Sequence, residues 1–301
     1  MKVNQAFIFG AGFGERLMPL TENRPKVTIP VLGKPNIFYI IERLKKIGIT
    51  QFVINTHHKS ELLQHIVGDG SAWDVSIVYS HEPNILDTGG GLKNAEHFIT
   101  SDTFVVYNGD IFCDVDLSFP INFHVQNDSH ATMIVSPKHV PRQLHISRAG
   151  KLLDIRGIRH YHSMPPTHTF LGIHILNREI FHYLSNEKKS IVEMYIKILN
   201  RNKTVMTWEL DSDYWYDIGS IGAYSSIHAD FFNKTRMPVS SQTIKAEGYI
   251  SLSDNVVLED NVFLKNVIVW ENAVIQSGSI LENVIVRNDR VVQGTYKNTI
   301  L

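Results

Sequence analysis

A single cysteine, Cys113, stands among 301 residues, so no disulfide can form within the chain. Long hydrophobic runs are missing as well. No stretch approaches the roughly 18 apolar residues that a membrane helix needs, so membrane insertion is not expected. Neither sign of charge dominates: Lys and Arg total 29 against 30 Asp and Glu, a formal net charge of −1. That balance argues against a polymeric nucleic acid as partner and leaves room for a local basic pocket. No charged leader, apolar core and small-residue cleavage site precede the strand-like run from Val3 to Phe9, and a cytoplasmic protein is the expectation. Apolar material is plentiful. Hydrophobic residues make up 43% and charged residues 20%, which excludes wholesale disorder. The length fits one large domain or two ordinary ones.

Gln5 to Phe9 reads as a short buried parallel strand. It opens into GAGFGERLMPLTENRPK, residues 10–26. Gly10, Gly12 and Gly14 allow a sharp turn and a close backbone approach to a ligand. N–H groups exposed in such a turn can cradle phosphate oxygens. Arg16 and Lys26 add positive charge, a combination that suits a triphosphate; a tight turn with ordinary surface charges is the competing reading. No Lys-Ser or Lys-Thr pair succeeds the glycines, so this is no Walker loop, and Leu17 stands where a dinucleotide fingerprint needs its last glycine. Pro19, Pro25, Pro30 and Pro35 interrupt the segment from 19 to 35. Apolar spacing then predicts a helix over 36–47, with Ile37, Ile40, Ile41 and Leu44 on one stripe and Gly48 past its end. Gln51 to Asn55 is the next strand.

Val75 to Tyr79 alternates like a strand and enters HEPNILDTGGGLKNA. Three successive glycines, Gly89 to Gly91, predict a loop before a helix over 92–98, with Thr88 as its cap and glycine N–H groups at the positive helix end. Glu82 begins this stretch, either to touch a ligand or to fix the loop. Phe104 to Tyr107 is another apolar strand, ending in Asn108-Gly109-Asp110. An aspartate at the carboxyl end of a parallel strand points into the crevice where such folds bind ligands, and it offers a hard oxygen to magnesium. Asp114 and Asp116 come next but carry the chain past that point. Asn108 either reads the ligand or braces the loop. Ala131 to Val135 and Lys151 to Ile155 are further strands. The 15 histidines are scattered; His57-His58 and His160, His162 and His168 cluster without fitting a zinc template, so loop and surface roles are expected.

After His228 the pattern changes. Met237-Pro238 looks like a linker, and from Ile250 a six-residue beat runs through Val256, Val262, Ile268, Val274, Ile280, Val286 and Val292. Such regularity predicts hexapeptide coils of a left-handed parallel β-helix, about 18 residues to a coil. Asn255, Asn261 and Asn283 suit its turns. The expected domains are therefore 1–237 and 238–301. No histidine lies beyond His228, which disfavours an acyltransferase and favours a module for packing or homo-oligomer formation through exposed coil ends.

The ordered run Gly12, Gly14, Arg16, Leu17, Pro19, Leu20 and Thr21, then Pro25-Lys26, then Pro30, Val31, Gly33, Lys34 and Pro35, resembles the opening of the nucleotidyltransferases that activate sugar 1-phosphates. Tyr214-Trp215-Tyr216-Asp217-Ile218-Gly219 is similar to that family's W-x-D-x-G pattern. Departures are mild at the start: Phe9-Gly10 replaces Leu-Ala, Glu15 stands where Thr is common, and Val27 succeeds Lys26 where Pro is common. The resemblance implies an α/β fold, a Rossmann-like mostly parallel sheet leading into the short β-helix. It implies magnesium-dependent formation of an NDP-sugar and pyrophosphate from an NTP and a sugar 1-phosphate. Its catalytic set would be Arg16, Lys26, Asp110 and Asp217, the two aspartates holding Mg2+. Gly10, Ala11, Gly12, Phe13, Gly14 and Glu15 would meet the nucleotide, with Glu82, Thr88, Gly89, Gly90 and Asn108. The sugar phosphate falls to Arg156 or Arg159, where relatives carry a Glu-Lys-Pro lysine, or else these are two surface arginines. Thr169, Gly172 and Glu193 would face the sugar. The Leu86 to Gly91 stretch looks most like mannose 1-phosphate guanylyltransferases and muramate 1-phosphate uridylyltransferases, and the tail leans toward GTP and a mannose-type sugar. A UTP-dependent enzyme for a hexosamine-type or muramate 1-phosphate, or an inactive nucleotide-binding regulatory subunit, is the alternative.

Overall fold

The computed structural model describes residues 3–127, 129–160, 165–210, 212, 214–232 and 243–301. The expected linker at Met237-Pro238, and with it the expected domain boundary, lies outside them, as do Tyr161 and His162. The chain forms two compact units. One comprises Met1–Gly12 and Tyr39–Trp215, the other Phe13–Phe38 and Tyr216–Leu301.

The first unit is built on a seven-stranded sheet. Its strands are β1 (Gln5–Phe9), β2 (Gln51–Thr56), β3 (Ser76–His81), β4 (Thr103–Asn108), β5 (Ala131–Ser136), β6 (Thr169–Asn177) and β7 (Val205–Glu209). They lie in the order β7-β5-β6-β4-β1-β2-β3. The β1–β2, β1–β4, β2–β3 and β5–β7 pairings are parallel, and only β6 runs against its neighbours. This is the mostly parallel α/β sheet that the resemblance implies. Phe104, Val105 and Val106 are fully buried, as a strand covered on both faces must be. Helix α1 (Asn36–Lys46) carries the expected stripe: Ile37, Ile40, Ile41 and Leu44 are all buried. Helices α2 (Ser60–Val67), α3 (Asp87–Asn94), α4 (Ser118–Gln126) and α5 (Ile191–Asn200) come after it. Several histidines depart from their expected surface places. His124, His145 and His174 are buried, and burial pushes His174 down to about 3. His124 reaches Thr132 Oγ1 and Asn177 Oδ1, both at 2.9 Å. Burial also pushes the Cys113 thiol up to about 11, which leaves it an inert packing group.

The second unit contains α6 (Ile221–Phe232) and a stack of parallel coils. Strands β8 (Lys245–Leu252), β9 (Phe263–Val269), β10 (Ile280–Val286) and β11 (Thr295–Ile300) form one wall of the stack. Val257–Leu258, Val274–Ile275 and Val291–Val292 form another. The expected turn residues Asn255, Asn261 and Asn283 all have positive φ. The coil length differs from expectation. Asn255 pairs with Asn272, Asn272 with Asp289, and Asn266 with Asn283, each 17 positions apart, whereas Asn283 and Asn298 are 15 apart. A six-residue beat needs 18, so it does not keep its register on every coil. Ile280, a member of the beat, is 39% exposed, while its neighbour Leu281 fills the interior above Leu264.

The same unit gathers the proline-broken segment onto the coils. The Trp270 indole N–H donates to the Tyr224 hydroxyl at 2.9 Å, and that hydroxyl donates to the Pro30 carbonyl at 2.6 Å. Arg24 pairs with Glu271. Arg287 Nη1 donates to Glu22 at 2.7 Å and to the Pro19 carbonyl at 3.2 Å.

Candidate active site

In the first unit, the sheet brings the ends of β2, β1, β4 and β3 to one edge. Phe9 pairs with both Asn55 and Asn108, so the chain leaves β1 for Gly10 beside the exits toward Glu82 and Asp110. This is the carboxyl edge where open α/β sheets bind ligands. A buried relay organises it. The Gly10 N–H donates to Asn55 Oδ1 at 2.7 Å, Asn55 Nδ2 donates to Glu82 Oε1 at 2.6 Å, and the Leu86 N–H donates to Glu82 Oε2 at 2.9 Å. Asn55 and Glu82 are 2% and 1% exposed. Of its two open readings, Glu82 takes that of fixing the loop. Asn55 gives no signal in the sequence because it looks like an ordinary strand terminus; only the register shows it facing Gly10 and Glu82.

The triple glycine is a correction. The expected loop, Thr88 cap and helix over 92–98 are absent; α3 begins at Asp87 and runs through all three glycines. Gly89 and Gly90 donate their N–H groups to the Lys189 carbonyl, at 2.7 and 3.1 Å. A Cβ at Gly89 would stand 2.8 Å from that same oxygen, at Gly90 it would strike the Glu187 carbonyl, and at Gly91 the Glu82 carboxylate. The glycines serve close packing, which composition cannot distinguish from ligand approach. The Thr88 hydroxyl accepts the Ile191 N–H at the start of α5, at 2.9 Å. Glu193 lies exposed two residues further along, with Lys189 3.8 Å away.

Asn108 and Gly172 meet. Gly172, at φ 79, lets β6 pass over Asn108 where a Cβ would come within 3.0 Å of its side-chain nitrogen. The Thr169 hydroxyl is engaged by the loop before it, donating to the His139 and Pro141 carbonyls at 2.7 and 2.9 Å. Arg156 Nε donates to Gln143 at 2.9 Å. Arg159 is tied to the Leu153 carbonyl at 2.8 Å and to Asn200 at 2.9 Å. Asn200 ends α5, a 10-residue helix about 15 Å long, whereas Thr88 sits at its beginning. Arg159 is thus a tether at the far end of that helix from Thr88, the surface-arginine reading of the sequence.

In the second unit, Phe13, Glu15 and Arg16 line an exposed turn. Gly14 has φ 70, and its carbonyl accepts the Thr21 hydroxyl at 2.9 Å. A Cβ on Gly14 would lie 2.7 Å from Thr21 and 3.3 Å from the Cβ of Lys26, so Lys26 packs against the turn. Arg16 and Asp217 converge on Gly219: a Cβ there would stand 3.1 Å from Arg16 Nη2 and 3.0 Å from Asp217 Oδ1. Lys26 thus packs on the Gly14 turn, and Arg16 and Asp217 on the Gly219 turn; cations and a carboxylate of these kinds are able to bind a polyphosphate and its counter-cation.

The family model described as Nucleotidyl transferase matches residues 5–234. The chain belongs to this family. Among curated relatives, it is 30% identical over 240 residues to a UTP–glucose-1-phosphate uridylyltransferase of Synechocystis, covering 73% of this chain and 61% of that one. It is 38% identical over 144 residues to an N-acetylmuramate alpha-1-phosphate uridylyltransferase of Neisseria meningitidis (46% and 62% covered). It is 27% identical over 218 residues to a mannose-1-phosphate guanylyltransferase of Mycobacterium tuberculosis (71% and 61% covered). The chain thus spans about three fifths of the length of these relatives. A solved Bacillus anthracis structure, described as a glucose-1-phosphate thymidylyltransferase with sucrose, superposes with a TM-score of 0.65 at 21% identity, covering 74% of this chain and 93% of that one. At that identity it speaks for the fold. No helix among the described residues is long and apolar enough to cross a membrane. No group of three or more His, Cys, Asp and Glu able to hold a metal ion occurs among them either.

Proposed function

We propose that this nucleotidyl transferase joins an NTP to a sugar 1-phosphate, releasing pyrophosphate. The observation that carries the reading is the convergence of Arg16 and Asp217 on Gly219, in the unit whose Gly14 turn packs on Lys26. The sugar phosphate oxygen attacks the α-phosphorus in line. It is ionised at neutral pH, so no general base is needed, and catalysis rests on placement and charge neutralisation. Arg16 and Lys26 stabilise the pentavalent arrangement and the departing pyrophosphate. Gly12 to Glu15 present the backbone to the triphosphate, and Gly10 is aimed by Asn55 and Glu82. Asn108 borders the nucleotide and Gly172, packed beside it, the sugar.

Asp110 and Asp217 are the carboxylates assigned to Mg2+. Their oxygens are hard donors of the kind that ion prefers, and it commonly takes one or two carboxylates and completes its shell with phosphate and water. When bound, the ion would withdraw charge from the α-phosphate. GTP with a mannose-type sugar 1-phosphate is the favoured pair, resting on the Leu86 to Gly91 pattern, the coil tail and similarity to the mycobacterial guanylyltransferase. UTP with a muramate-type or hexosamine-type sugar is the second reading, favoured by the 38% identity to the Neisseria protein. The enzyme is placed in the cytoplasm, where both substrates are made, with the coil ends joining copies of the chain.

Incubation with magnesium, each NTP and a panel of sugar 1-phosphates, with pyrophosphate release as the readout, tests the proposal. Release with GTP and mannose 1-phosphate is expected. Release with another pair reassigns the substrates, and no release with any pair rejects the enzyme in favour of a nucleotide-binding regulator.

A further inference from the structure

The sequence assigns the coil stack to packing or oligomer formation, yet its side chains reach the segment that carries Arg16 and Lys26. Arg24 lies two residues before Lys26 and is 7% exposed. Its guanidinium sits 5.4 Å from the centroid of the Trp270 ring and is paired with Glu271. Arg24 Nε has no hydrogen-bond partner among the described residues, so Glu271 supplies the compensating charge for a nearly buried cation. On the other side of Lys26, Pro30 is held through the Tyr224 hydroxyl to the Trp270 indole. Tyr224 and Trp270 are 0% and 1% exposed. Two adjacent coil residues thus grip the chain on both sides of Lys26. The continuing backbone also presses on the coils: Gly33, at φ 93, leaves room for the Leu252 carbonyl where a Cβ would stand 2.7 Å away.

We infer that Glu271 and Trp270 are positioning residues for the phosphate-handling segment, acting through Arg24 and Tyr224 on the placement of Lys26 and Arg16. The inference rests on the proposed reaction for its kinetic consequence, but not for the coupling itself. Misplacing a cation that acts on the transition state lowers kcat more than it raises KM. A coil that only adds stability would change unfolding and leave that ratio alone.

The test uses the full chain with Glu271→Gln, with Tyr224→Phe as a variant that deletes one oxygen and keeps the ring, and with exposed Lys297→Ala as control. Pyrophosphate release is read together with hydrogen exchange at the Leu17, Leu20, Thr28 and Ile29 amides, which are hydrogen-bonded within the segment. Both variants should lose about tenfold or more in kcat with KM for the sugar 1-phosphate within about twofold. Exchange should quicken at those four amides and not at the coil amide of Val274. Glu271→Asp, which keeps the charge, should recover most of the activity, and Lys297→Ala should behave as the parent. Unaltered exchange in the segment overturns the inference, and so does faster exchange with unaltered kcat. If the parent turns over no NTP and sugar pair, the proposed reaction fails, and the exchange data alone decide the coupling. If Glu271→Gln does not fold, Tyr224→Phe decides.

Discussion

A Cβ added at Gly12 would meet nothing within 4 Å among the described residues, whereas one added at Gly90 would strike the Glu187 carbonyl. Both glycines belong to stretches that look equally suited to a ligand: 10–14 with three glycines and 89–91 with three. In the first, Gly10 is buried on Asn55, but Gly12 and Phe13 are exposed and Gly14 adopts φ 70. In the second, the residues are helical and buried, with the Gly89 and Gly90 N–H groups engaged by Lys189. The difference lies in where the hydrogens point. A glycine whose N–H and missing side chain both face protein is a packing device; one that leaves them facing solvent is available to a phosphate.

Substitutions can break this contrast. The largest effects should come from the charged residues assigned to the proposed reaction. Asp110→Asn should cut magnesium-dependent pyrophosphate release by about a thousandfold or more, and Lys26→Ala should lower kcat by about a hundredfold with little change in KM. Parent-like kcat in either would remove that residue from the chemistry. Next comes Gly90→Ala, expected to destabilise the fold by about 2–4 kcal/mol in urea titration, because backbone and not a movable side chain fills the space. The matching change at the open site, Gly12→Ala, should alter stability by less than about 0.5 kcal/mol and weaken nucleotide binding instead. A reversed outcome would mean that the two clusters had been assigned the wrong way round.

These stability measurements are sensitive to pH. His174 in the first unit and His228 in the second are pushed by burial from an ordinary 6.5 to about 3. The unfolded chain therefore binds protons more readily than the folded one as pH falls. Stability present above 6.5 is lost progressively toward pH 3, by about 2 kcal/mol for each histidine at pH 5. His174→Phe should flatten that slope between pH 7 and 5, and an unchanged slope would show that other groups set it. A smaller effect is expected at Glu82→Gln, about 1–2 kcal/mol, because one amide hydrogen pair must face the Asn55 or Leu86 donor.

Much of the framework is legible in the sequence because it is local. The buried strands at Gln5–Phe9 and Thr103–Asn108, and the α1 stripe, each announce themselves within a dozen residues. What packs against what is not legible. Helix α3 escapes a sequence reading because glycines argue against helix unless tertiary packing demands them. The coil length escapes it too, because six-residue spacing is evident in sequence, while the 17-residue rise appears only once strands are paired. Arg16, Lys26 and Asp217 stand out through motif resemblance, and the structure adds what surrounds each. Asn55 and Glu271 carry no local signal, since an Asn at a strand end and a Glu on a coil are commonplace until their partners are known.

The Arg24–Glu271 pairing spans 247 residues of chain. Proteins are synthesised in one direction, at about 5–20 residues per second, so Arg24 waits on the order of 12 to 50 s for its partner. During that interval the strands of the sheet unit up to β7 have emerged and can pair, while the glycine turn near the amino end has no finished surface to rest on. If the coils position the segment as inferred above, translation itself would delay competence: a chain stalled before Glu271 would carry Arg16 and Lys26 and lack the residue paired with Arg24.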